Sequence, residues 1–233
     1  MKNNAYILSI KGEHIEQNVI EEAIANAKAR VVKDENVLQL ITNLKLKKLS
    51  LLKMLHPIVN EICDCLYLNH KYAALTLTNY LFEAMVKMSL ILYHGKDNVL
   101  VGNHNFEDAF KEEIQKYNKG KLHANLELLF KDRLISENEK ERLLDLKDLF
   151  RNPFSHSSDN DYIEGTTTDI IIGDFNDPEH KVEYKRIGVN SIPELLVQTR
   201  LEFMRKTCLA YFCEVHTFLT LLDERLHNVY NVG

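Results

Sequence analysis

Glycine and proline are scarce, with eight and four in 233 residues. So few chain-turning residues exclude a turn-rich β architecture and favour long helices. Cysteine is sparse as well. Cys63, Cys65, Cys208 and Cys213 fit neither a zinc ribbon nor a C-x-x-C redox pair, and they sit in apolar helical runs, where reduced buried thiols are expected. The glycines stand singly, so there is no glycine-rich phosphate loop, and no G-x-S-x-G elbow for a hydrolase nucleophile. No H-E-x-x-H or similar close spacing of metal ligands occurs; no metal and no cofactor are expected, and His94 and His104 read as loop residues. Positive charge is not in excess. Lys and Arg number 29 against 34 Asp and Glu, a net charge of −5, which argues against general affinity for nucleic acid and confines any RNA contact to a local basic patch. Long apolar runs are missing too. The first residues are soon cut by Lys11, Glu13 and His14, and residues 81–93 carry Glu83 and Lys87, so no membrane span is expected and a cytoplasmic location follows.

What is present is ordinary globular composition, 45% hydrophobic and 27% charged, enough to bury one sizeable core. Residues 6–10 alternate as a short strand would, and residues 13–32 have helical spacing. Asp34-Glu35-Asn36 places carboxylates at the start of a further helix, which is expected to run on through Leu44, Leu49, Leu52 and Leu55 to a break at Pro57. Residues 71–93 give the strongest helix, apolar nearly all round, with Gly95 placed as its C-terminal cap. Its polar residues Thr76, Asn79, Glu83 and Lys87 recur every three or four positions and make one narrow seam, as in the central helix of a bundle. Helices are also expected at 105–117 and 122–134, and from 191 to about 229. Between them, residues 166–188 read as a β-hairpin, with an Asn-Asp-Pro turn signal inside.

Ser136 and Glu139 form a capping box that opens an amphipathic helix ending in Arg151. There follows Arg151-Asn152-Pro153-Phe154-Ser155-His156, with Asn152 and Pro153 placed as N-cap and first residue of a new turn. The stretch sets a permanent cation and a titratable imidazole five residues apart. Arg can neutralise a phosphate with a planar fork, and His can give or take a proton near neutral pH. The cluster of Lys45, Lys47, Lys48 and Lys53 reads as a solvated helix face.

Arg, a polar residue, a few further positions and then His, at the end of a helix in a bundle, resembles the signature of the HEPN superfamily. The resemblance covers roughly residues 71–222. It implies an all-α, HEPN-like antiparallel helical bundle over residues 71–233; it covers neither the small β-hairpin read at 166–188, which would be an insertion, nor residues 1–70. Residues 1–70 would be a helical extension packed on it, or part of one continuous domain. It also implies a metal-independent endoribonuclease in toxin–antitoxin or phage-defence biology. Arg151 and His156 would be its catalytic residues, with RNA as substrate and an antitoxin or regulatory protein as a further partner. One His cannot readily act as base and acid in the same step, so a homodimer pairing two motifs is expected. Asn152, Ser155 and Ser157 would bind or orient substrate. Glu83 is either an acid that orients Arg151 or His156, or an i,i+4 partner of Lys87. The competing readings are a non-catalytic HEPN-like module that binds a protein or nucleotide, and an unrelated helical interaction protein.

Overall fold

Asp34 caps the first described helix, α1 (Glu35–Leu46): its carboxylate accepts the amides of Asn36 at 2.9 Å and Val37 at 3.3 Å. The computed structural model describes residues 31–100, 110–152, 167–172, 183–188 and 193–231, with the single positions 25 and 29. The strand expected at 6–10 and nearly all of the helix expected at 13–32 lie outside these residues.

α1 stops at Leu46, well before Pro57. The reason lies far along the chain. Asp223, buried on the last helix, accepts the amides of Ser50 (2.7 Å), Leu51 (2.8 Å) and Leu52 (2.7 Å), so these donors face a carboxylate instead of continuing a helix. A 3₁₀ turn, Lys53–Leu55, then leads into α2 (His56–Tyr67). Pro57 falls in the first turn of α2, where its missing amide costs no hydrogen bond.

α3 (Lys71–Leu100) runs through Gly95, contrary to the expected cap. A Cβ at Gly95 would collide with the ring of Phe110, so glycine here permits close packing rather than ending the helix. Over Lys71–Lys96, α3 is long and apolar enough to cross a membrane, more than residues 81–93 alone suggested; 56% of that apolar window is buried in the protein. α4 (Lys111–Lys119) and α5 (Leu122–Lys131) follow. α5 ends before 134 because Arg133 turns into the left-handed region, φ 60°.

α6 (Glu137–Leu146) begins with the capping box: Glu139 Oε2 accepts the Ser136 amide at 2.6 Å, and Ser136 Oγ accepts the Glu139 amide at 3.4 Å. Glu139 also takes both terminal nitrogens of Arg225, at 2.7 and 2.9 Å, tying α6 to the last helix. α6 closes in a π-helical turn, Lys147–Arg151. Two strands, β1 (Thr167–Ile172) and β2 (Glu183–Gly188), pair antiparallel with Thr167 opposite Gly188. The residues joining them lie outside those described. α7 (Pro193–Asn231) completes the fold.

α3 is the central element, touching α7, α2, α5 and α4. Phe82, Met85 and Leu90 of α3 are fully buried with Phe212, Val215 and Leu219 of α7. Ile41, Leu55, Val59 and Ile62 from the first seventy residues belong to the same buried cluster. The protein is all-α in class, and its core runs from α1 to α7. No disulfide forms among the four cysteines, and burial pushes the Cys63 thiol up to about 11 and that of Cys208 to about 12.

Candidate functional site

The polar seam of α3 divides by depth. Thr76 is exposed and bonds back to its own helix at Tyr72 (3.0 Å). Asn79 is buried and accepts the Tyr211 hydroxyl of α7 at 2.8 Å. Burial raises the pKa of that hydroxyl far above its ordinary value, which keeps it protonated as the donor. One turn further on, Glu83 reaches the surface.

Glu83 meets Arg151. Its Oε1 accepts Nε at 2.8 Å and lies 2.7 Å from Nη2. Its other oxygen is 3.7 Å from Lys87 Nζ, so the carboxylate holds Arg151 and its i,i+4 neighbour Lys87 together. Arg151 Nη1 donates to Asn152 Oδ1 at 3.2 Å, and Asn152 Nδ2 donates to Asp148 Oδ1 at 2.9 Å. Asp148 also pairs with Lys147 at 2.9 Å. Arg151 is thus oriented from two sides while its side chain stays 22% exposed.

The π turn sets this geometry. The Asn152 amide bonds to the Lys147 carbonyl, one residue further back than in an α-helix, and such turns recur at functional sites. Phe150, buried on the inner side, stacks on Tyr211 with ring centroids 4.2 Å apart and planes 11° apart. Asn152 does not act as the expected N-cap. Its backbone is helical, φ −63° and ψ −49°, whereas an N-cap is extended, so Asn152 prolongs the turn and uses its side chain to hold Arg151.

Beside Arg151 opens a cleft of about 260 Å³, whose walls include Glu83, Lys147, Gly120, Lys121 and His123. Among the described residues of this cluster, the cations Lys87, Lys121, Lys147 and Arg151 outnumber the carboxylates Glu83 and Asp148. Of the residues expected at the site, Arg151, Asn152 and Glu83 come together; Ser155, His156 and Ser157 lie outside the described residues. Lys121, His123 and Lys147 had carried no local signal. Lys121 and His123 precede the motif by a whole helix and a turn, and nothing between them and Arg151 announces the shared cleft.

His94 is not in a loop. It lies on α3, with Nε2 2.8 Å from Asp132 Oδ2 and its ring stacked on Tyr117. His104 lies outside the described residues. In the lysine cluster, Lys45 pairs with Asp64 and Lys47 with Glu224. Among the described residues no group of His, Cys, Asp and Glu could hold a metal ion. No family model, curated protein or solved structure matches the chain. By fold and cleft the chain is an all-α protein with a basic cleft beside Arg151.

Proposed function

We propose that this chain is a metal-independent endoribonuclease of the HEPN type, acting in the cytoplasm in a toxin–antitoxin or phage-defence role. The observation that carries the proposal is Arg151, held by Glu83 on the wall of a cation-rich cleft in an otherwise acidic chain. That is the local basic patch that RNA contact requires here. In the proposed reaction the 2′-hydroxyl attacks the adjacent phosphorus, the bond to the 5′-oxygen breaks, and Arg151 stabilises charge on the phosphate. Removing one such electrostatic contact typically costs about 10²–10³ in rate. His156 transfers one of the two protons. A second group must transfer the other, from a second copy of the chain or from this one.

One observation favours a second reading. Glu83 matches the charge of Arg151, as it would in a non-catalytic HEPN-like module that binds a protein or nucleotide and uses the arginine structurally. Incubation of the protein and of His156→Ala with mixed RNA in chelator separates the two. The ribonuclease reading expects fragments from the wild type and none from the variant. Equal cutting by both removes His156 from the chemistry, and silence from both favours the binding module.

A further inference from the structure

We propose that His123 is a second proton-transfer group of the Arg151 cleft, supplied by the same chain as Arg151. This rests on the ribonuclease reading. That reaction needs one group to take the 2′-hydroxyl proton and another to give a proton to the departing 5′-oxygen. The 2′-oxygen–phosphorus bond forms as the 5′-oxygen–phosphorus bond breaks, leaving a 2′,3′-cyclic phosphate and a 5′-hydroxyl. The protons balance without any co-reactant.

Three observations single out His123. It lines the cleft together with Arg151, and imidazole is the side chain best suited to exchanging protons near neutral pH. It is exposed, and among the described residues it makes no hydrogen bond or ion pair, whereas His94 is held by Asp132 and His216 is buried. Its backbone is also firmly placed. Gly120 approaches Asn125 so closely that a Cβ would stand 2.5 Å from Oδ1, and buried Asn125 bonds back to the Tyr117 carbonyl at 3.4 Å. Leu122 and Leu126 pin the start of α5 into the core. Lys121 lines the same cleft and is exposed, so it can neutralise a phosphate of a strand lying across it. A packed wall that carries an uncommitted imidazole in the same cleft as an oriented arginine is an arrangement suited to proton transfer at a bound phosphate.

The test is single-turnover cleavage of an RNA oligonucleotide by wild type and His123→Ala, with binding of the 2′-deoxy analogue measured beside it. The proposal expects cleavage to fall by about 10²–10⁴-fold and binding to change by less than about threefold, because proton transfer contributes to the transition state and not to ground-state binding. Added imidazole should restore part of the lost rate. A variant that cuts within about threefold of wild type overturns the role of His123 and leaves the ribonuclease reading intact. Parallel losses of cleavage and binding also overturn it, making His123 a phosphate contact. A wild type that does not cut RNA refutes the ribonuclease reading itself, and this proposal with it.

Discussion

Glu83 is the residue on which the cleft turns, since one carboxylate fixes Arg151 through Oε1 and meets Lys87 through Oε2. Glu83→Gln keeps the shape and removes the charge that orients the guanidinium. Cleavage should fall about 10²-fold, the usual cost of misplacing a reacting group, while the partly exposed pair contributes only about 1 kcal/mol to stability. Oligonucleotide cleavage and thermal unfolding, measured together, check both halves. A second residue, His216, contributes to the pH dependence of stability. His216 is buried and its pKa is lowered, first by desolvation, against a backbone hydrogen bond to Leu44 that raises it. The unfolded chain therefore takes up a proton at a pH where the folded protein does not. Stability from this site is complete above about 6.5, the ordinary histidine value, and declines as pH falls toward the lowered value in the fold. His216→Phe should flatten that part of the pH dependence in urea unfolding; an unchanged slope would contradict the assignment.

Elements whose signals are local could be read from the sequence. The three-and-four spacing of Thr76, Asn79, Glu83 and Lys87 marked a polar seam on α3 from which Asn79 meets α7 and Glu83 meets Arg151, and the capping box at Ser136 marked where α6 begins. Elements decided by distant partners could not be read in this way. α1 ends early because Asp223, far away in sequence, takes the amides of residues 50–52, and Gly95 serves the ring of Phe110. The same limit applies to His123, which lines the cleft of Arg151 from a separate helix, α5. The helical backbone at Asn152 was missed for a different reason: its side chain finds Asp148 and Arg151, so it has no need to cap a new turn. Asp223→Ala tests the long-range connection. Three buried or half-buried amides would lose a charged acceptor, and unfolding free energy should drop by about 3 kcal/mol or more. A loss below about 1 kcal/mol would show that solvent replaces the carboxylate there.

At the scale of the molecule, an acidic chain carries a small basic cleft on one continuous core. Such a balance predicts weak general affinity for nucleic acid, with RNA captured at the cleft and released as salt rises. It also ties the expected activity to the chemistry at Arg151 rather than to charge spread over the surface. The most direct measurement compares an RNA oligonucleotide with its fully 2′-deoxy counterpart in chelator and identifies the ends produced. RNA alone should be cut, leaving a 2′,3′-cyclic phosphate and a 5′-hydroxyl. Cutting of the deoxy strand, different ends, or intact RNA would contradict the ribonuclease reading.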